Sequence, residues 1–259
     1  METITDYRLS PDALVMVAGS SVGTQKKFYE KGYWYKQNSL GYEGTAEYLS
    51  SIVLSCSNID RYVVYERCTI NGSPGCRSAN FLAEGEAYIS LQRLYDTYHG
   101  GQLSERIRLI DMAKDRIQYV TGYVQDVIGL DLSEQFGKLL AFDMLILNTD
   151  RHFNNIGIIA DTRQQLYKNA PVFDNGNALL SNAGMFDFDT AVEDHIEKVI
   201  GQPFSASLER QALEAGIRLK LNYHALQEKL QKEPASRALD VLWIQLEKYE
   251  SLLRDDSVR

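Results

Sequence analysis

Asp150, His152 and Asn155 fall within six residues of one another, and Asp174 follows at the end of a short apolar run, Ala170–Phe173. They sit in the stretch Leu139–Leu180, which reads LLAFDMLILNTDRHFNNIGII, then a polar gap, then APVFDNGNALL. A carboxylate, a carboxamide five residues on, and a second carboxylate after a strand-like run make a set of hard oxygen groups suited to phosphoryl transfer. That chemistry needs one Asp to orient the attacking hydroxyl, and an Asn and an Asp to hold Mg²⁺ against phosphate oxygens. His152, inside the segment, is placed to orient Asp150 or a substrate phosphate. Asp and Asn also populate turns for purely local reasons. The pairing of the two segments, with an apolar helix before and a strand between, is what makes them specific.

Those groups need a scaffold, and the elements before them read as a β-rich half. Val15–Phe28 enters a small-residue turn with Gly19 and Gly23, where backbone amides can approach an anion, although the GK[ST] ending of a Walker A loop is absent. Gly32–Gln37 alternates aromatic and polar residues as a strand does and ends near Lys36, the candidate to pair with nucleotide phosphates. Lys26, Lys27 and Lys31 are its rivals. Gly41–Leu54 reads as a helix carrying Glu43 and Glu47 one turn apart, either of which could hold the lysine. Arg61–Cys68 and Arg77–Leu82 read as strands with a turn at Gly72–Gly75 between them, and a nucleotide-base contact is expected within Cys76–Leu82.

From Gly100 the period becomes helical. Ile107, Ile110, Ala113, Ile117, Val120, Val124 and Val127 predict one long amphipathic helix closed by Gly129, and Ser133–Leu147 a buried one that delivers the chain to Asp150. Segment 176–189 has no period, and helices are expected over Ser207–Ala215, Tyr223–Gln231 and Ser236–Leu253. His99, His195 and His224 read as surface or capping residues. The fold class is therefore α+β, with a small β-rich lobe over residues 1–82 and a larger helical lobe over 83–259.

Composition narrows the function classes. A chain of 259 residues can bury a sizeable core, and its net charge of −8 argues against a broad nucleic-acid footprint. Three cysteines, Cys56, Cys68 and Cys76, lack metal-ligand spacing and read as reduced thiols. No stretch has the pattern of a signal peptide or the apolar length of a membrane span, so a cytoplasmic protein is expected, with signal-less secretion left open.

Asp150-Arg151-His152-x-x-Asn155, followed by Asp174-Asn175-Gly176, resembles the catalytic loop and metal-binding triplet of protein kinase-like folds. The form DRHxxN is shared by the phosphatidylinositol kinases and the bacterial HipA-like kinases, and differs from the HRDxxxxN of ordinary protein kinases. Ser20-x-x-Gly23-x-Gln25-x-Lys27 is similar to the HipA-like phosphate loop, and Gln202-Pro203-Phe204-Ser205 to a turn that follows the activation segment there. The kinase-type APE ending is absent.

The resemblance implies a two-lobed serine/threonine protein kinase, compact and close to the stand-alone CtkA-like members, using ATP and Mg²⁺. It implies that Gly19, Ser20, Ser21, Val22, Gly23, Thr24, Gln25 and Lys27 cover the phosphates, and that Lys36 neutralises them, with Glu43 favoured over Glu47 to hold it. It further implies that Asp150 orients the hydroxyl, that Asn155 and Asp174 bind Mg²⁺, and that Ser20 or Ser21 is autophosphorylated. The expected partners are a protein substrate and, as a candidate, an antitoxin-like regulator, with no direct nucleic-acid or membrane contact. Two other readings stay open: a lipid or small-molecule kinase of the inositide-kinase type, and a nucleotide-binding pseudokinase scaffold.

Overall fold

The computed structural model describes residues 4–15 and 25–258. Gly19, Ser20, Ser21, Val22, Gly23 and Thr24 thus lie outside the described residues, while Gln25 and Lys27 lie within them.

The first half is a five-stranded sheet with one helix against it. Strands β1 (Asp6–Tyr7), β2 (Lys27–Glu30) and β3 (Tyr33–Gln37) precede helix α1 (Glu43–Leu54), and β4 (Glu66–Ile70) and β5 (Ser73–Ala79) follow it. The sheet order is β1-β4-β5-β3-β2, antiparallel except for the β1–β4 pair. Both hairpins turn on two residues with positive φ, Lys31-Gly32 and Asn71-Gly72, which is the geometry that matches strand twist. The second turn corrects the reading of Gly72–Gly75: Ser73, Pro74 and Gly75 already belong to β5, paired with β4 and β3. Arg61–Tyr65 is likewise not ladder strand, apart from a bridge from Tyr62 to Val172, and the regular strand starts at Glu66.

Gly75 is glycine because β5 is pressed on both sides. A Cβ there would stand 2.1 Å from the Lys36 carbonyl oxygen, and one on Gly44 would stand 2.6 Å from the Gly75 carbonyl carbon. Helix α1 therefore sits down on β5 more closely than any side chain would allow, and its next turn comes within reach of Lys36 on β3.

The second half starts with β6 (Glu86–Ser90), which leads into α2 (Leu91–His99) capped by Ser90, whose Oγ accepts the Arg93 amide at 3.1 Å. Helices α3 (Leu103–Arg108), α4 (Ala113–Ile128) and α5 (Ser133–Ile146) come next. The single long helix expected across this region is in fact two. The chain leaves helical geometry between Leu109 and Met112, both strongly exposed, and restarts at Ala113. The apolar stripe conceals the break because Ile107 and Ala113 are both buried, on separate helices.

Strands β7 (Gly157–Asp161) and β8 (Leu166–Asn169) complete a three-stranded antiparallel sheet with β6. Short α6 (Val192–Ile196) and then α7 (Leu208–Ala215), α8 (Tyr223–Leu230) and α9 (Arg237–Leu253) close the chain. The last three are each started by a side-chain cap, from Ser207, Asn222 and Ser236.

One large core unites Leu49, Val53 and Leu54 of α1 with Phe136, Leu140 and Phe142 of α5 and Leu242 and Leu246 of α9. Burying such side chains contributes roughly 1.5–3 kcal/mol each. His195, expected at the surface, is buried beside Phe186, with Nε2 2.8 Å from the Asp187 carbonyl. Among the described residues no helix is long and apolar enough to cross a membrane.

Candidate active site

A cleft of about 630 Å³ opens between the five-stranded sheet and the helical body. Val63, Tyr65, Phe81, Leu82, Tyr88 and Phe173 supply apolar walls, and Lys27, Lys36, Asn155 and Asp174 gather as its polar groups. The segment Ser78–Leu82, leaving β5, lines the cleft where the base contact was expected.

Lys36 projects from β3 onto two carboxylates at once. Its Nζ lies 2.6 Å from Glu47 Oε1 and 2.6 Å from Asp174 Oδ1, and 5.3 Å from the centre of the Tyr65 ring. Burial alone would lower the Lys36 ammonium pKa, but Asp174 and then Glu47 outweigh it and hold it well above the ordinary lysine value. Burial would raise the Asp174 carboxyl, yet Lys36 and then Lys27, whose Nζ is 3.9 Å from Oδ2, keep it below the usual carboxylate range. Glu47 is fully buried, and burial raises its carboxyl against the pull of Lys36.

This arrangement corrects the expectation for Glu43. Glu43 is the first residue of α1, and its carboxylate turns back to accept the amides of Ser39, Leu40 and Gly41. It fixes the entry to the helix by satisfying the amides of the segment that leads into it. Glu47, one turn later, is the residue that Lys36 of β3 reaches.

Asp174 has φ 58°, a left-handed conformation uncommon for a residue with a side chain. Its neighbours secure that conformation: the Asp174 amide donates to Tyr65 Oη at 3.3 Å, and the Asn175 amide donates to Glu47 Oε2 at 2.8 Å. Strain of this kind concentrates where surrounding contacts over-determine the backbone.

Asp150 leaves α5 through a buried polar knot. Arg151, with no exposed surface, donates Nε and Nη2 to Asp143 at 2.9 Å, Nη2 to Asn175 Oδ1 at 2.6 Å and Nη1 to the Phe173 carbonyl at 2.7 Å. Asn148 bridges Asp143 to the Asp150 amide. One arginine thus ties the Asp150 loop to the Asp174 segment.

The Asp150 carboxylate itself is half-buried and accepts Asn177 Nδ2 on Oδ2 and Gln202 Nε2 on Oδ1, both at 3.1 Å. Asn155 donates Nδ2 to the Asp150 carbonyl at 3.3 Å, which leaves its Oδ1 as the free acceptor among the described residues. His152 does not touch the Asp150 carboxylate. Its Nδ1 is buried without a hydrogen-bond partner. Lys26 and Lys31 stay at the surface, and Gln25 is half-buried with its Nε2 unpartnered.

Asn177 and Asp143 are site residues that the sequence did not single out, while Gln202 entered only through its resemblance to a turn and Glu47 stood as the alternative to Glu43. Asp143 did carry a signal: it is the one charged residue in the apolar run LLAFDMLIL. Asn177 and Gln202 reach Asp150 from 27 and 52 residues away, and only the fold brings them there.

No family model matches the sequence, and no curated protein matches it. Solved structures do. A Helicobacter pylori proinflammatory kinase, CtkA, is similar with a TM-score of 0.63 over 96% of this chain and 94% of its own, at 15% identity. A chain from the Shewanella oneidensis MR-1 toxin–antitoxin complex of HipA, HipB and operator DNA matches with a TM-score of 0.42, covering 94% of this chain and 67% of its own at 11% identity. The chain has the α+β fold of the first of these, a protein kinase-like fold.

Proposed function

We propose that this protein transfers the terminal phosphoryl group of Mg²⁺-ATP to a Ser or Thr hydroxyl of a protein substrate. The observation that supports this most is the convergence of Lys36, Asp174 and Asn155 in one cleft with apolar walls, with buried Glu47 holding Lys36 from behind. The fold shared with a kinase structure agrees with it. A cleft of this size falls in the usual range for a small-molecule site.

The donor set suits magnesium. Asn155 Oδ1 and the Asp174 carboxylate are both hard oxygen donors, the kind this ion prefers. Asn155 Oδ1 and the Asp174 carboxylate would hold Mg²⁺, with phosphate and water oxygens filling the remaining positions. Bound there, the ion would neutralise phosphate charge and help orient the transferred group.

The chain's own groups would do the rest. Lys36, kept charged and held by Glu47, meets the phosphates, with Lys27 beside it. Asp150, oriented by Asn177 and Gln202, receives the proton of the attacking hydroxyl as the new O–P bond forms and the bond to the ADP oxygen breaks. Glycine-loop residues Gly19 to Thr24, with Gln25, would cover the phosphates, and Ser20 or Ser21 is the proposed autophosphorylation site. The lobes meet near residue 82 in this reading.

Intact mass of the purified protein after incubation with Mg²⁺ and ATP, beside Asp150→Ala, tests the proposal. A gain of phosphate mass that disappears in the variant and in chelator supports it, and peptide mapping would show whether Ser20 or Ser21 carries the group. ATP binding without transfer to itself or to a mixed protein acceptor would sink it in favour of a scaffold role.

A further inference from the structure

A second cavity, about 190 Å³, lies against the other side of the catalytic loop. Asn154 lines both cavities, between His152 on one side and Asn155 on the other. Gln202, which holds the Asp150 carboxylate, forms part of its wall, as does His152. The pocket is therefore on the acceptor side of the proposed general base, away from the nucleotide.

Its chemistry is cationic in an acidic protein. The chain carries a net charge of −8, yet Arg108 and Arg116 line this cavity with Gln92 and Gln102, and no carboxylate does. The acids nearest in sequence, Glu105, Asp111 and Asp115, are exposed and do not line it. Neither arginine makes an ion pair among the described residues.

Arg116 is fixed before any ligand arrives: Nε donates to the Ile110 carbonyl at 2.7 Å and Nη1 to the Phe204 carbonyl at 2.8 Å, leaving Nη2 without a hydrogen bond among the described residues. The unpartnered Nδ1 of His152 belongs to a residue of the same wall. The break between α3 and α4 makes the pairing possible. One continuous helix would set Arg108 and Arg116 roughly 12 Å apart along its axis, whereas the turn at 109–112 folds both onto one pocket.

We infer that this pocket recognises an anionic group, a carboxylate or a phosphomonoester, carried by the acceptor peptide close to the hydroxyl that is phosphorylated. The inference rests on the kinase reading for its purpose but not for its test. A guanidinium with a free edge binds either oxyanion by paired N–H donors. An acceptor held by that anion would present its hydroxyl to Asp150 across Gln202.

Binding measured by fluorescence anisotropy tests this without any requirement for turnover. Three labelled peptides share one central Ser and differ only in flanking Glu, Gln or phosphoserine. The Glu or phosphoserine peptide should bind about tenfold tighter than the Gln peptide, and which of the two is tighter identifies the anion. Arg108→Ala, at an exposed position that leaves the core intact, should abolish the difference, and Arg116→Gln should reduce it. Equal binding of the three peptides overturns the inference, and so does a difference that survives both variants, because the anion then sits elsewhere. Vesicles containing phosphoinositides that bind through the two arginines, while the peptides do not, would overturn the peptide assignment in favour of a lipid headgroup. Failure of the kinase reading would show separately, as no mass gain with Mg²⁺-ATP.

Discussion

Lys36 and Asp174 are 138 residues apart in sequence, and Lys36 Nζ stands 2.6 Å from Asp174 Oδ1. The same ammonium stands 2.6 Å from Glu47. Strand β3, helix α1 and the segment after β8 are thus tied at one buried point, and a change there reaches both the sheet and the helical body.

Exchanging the two candidate glutamates separates their roles. Glu47→Gln should weaken the hold on Lys36 and lower kcat/KM for ATP by roughly 10- to 100-fold, the worth of one charge-assisted hydrogen bond. Glu43→Ala should instead release the amides of Ser39, Leu40 and Gly41 and cost stability, about 1–3 kcal/mol. Steady-state kinetics beside urea unfolding distinguishes the two. A larger kinetic loss from Glu43→Ala than from Glu47→Gln would contradict the assignment.

Asp174 also makes a pH-dependent contribution with a definite sign. Its folded carboxyl lies below its unfolded value, near 3.9, so its contribution is fully present above about pH 4–5 and is lost as pH falls towards the folded value. Lys36, held above the ordinary lysine value, stays charged across this window. Glu47, raised chiefly by burial and in part by Asp174, contributes with the opposite sign and works against this change. The stability gap between wild type and Asp174→Asn should therefore shrink between about pH 5 and pH 2. Unfolding curves at several pH values measure it, and a gap that widened on acidification would reverse the sign.

Much of the architecture was legible in the residues, for reasons that differ by element. Helices α7, α8 and α9 start where Ser207, Asn222 and Ser236 cap them, and a cap is a local signal. The Asp150–Asn155 and Asp174 segments were legible because their chemistry needs fixed spacing along the chain. The break between α3 and α4 was not, since apolar spacing continues across it. Nor could spacing choose between Glu43 and Glu47. That choice depends on which turn of α1 Lys36 reaches, and Gly44 seated against Gly75 of β5 sets it. The partners of Asp150 come from separate segments, and nothing local announces that they meet it.

The Asp143–Arg151 pair should be structural first. Both side chains are fully buried, and the arginine also bonds the Phe173 carbonyl and Asn175. Removing one partner of a buried pair costs about 3–5 kcal/mol because the other charge is left uncompensated. Arg151→Met should therefore lose that much in urea unfolding. Asp143→Leu with Arg151→Met should recover part of it, though not the two further bonds. If Arg151→Met unfolded like the wild type, the knot would not be holding the loop.

With the acceptor saturating, Asn177 and Gln202 should act on catalysis through Asp150. Each donates one amide N–H to one oxygen of that carboxylate, and Gln202 also donates to the Thr149 carbonyl. Neither lines the cleft that holds Lys36 and Asp174. Asp150→Asn should lower kcat by about 10²–10⁴-fold, the usual worth of a positioned general base. Gln202→Ala or Asn177→Ala should lower kcat by roughly 10-fold each, because a carboxylate held by one donor still samples the productive orientation. KM for ATP should stay near its wild-type value in both. The double variant frees the carboxylate to rotate and should fall by more than the product of the two single losses, as expected when two groups restrain one side chain. Initial rates at saturating and limiting ATP separate kcat from KM. A rise in KM for ATP with kcat unchanged would place the two amides with nucleotide binding instead of with Asp150.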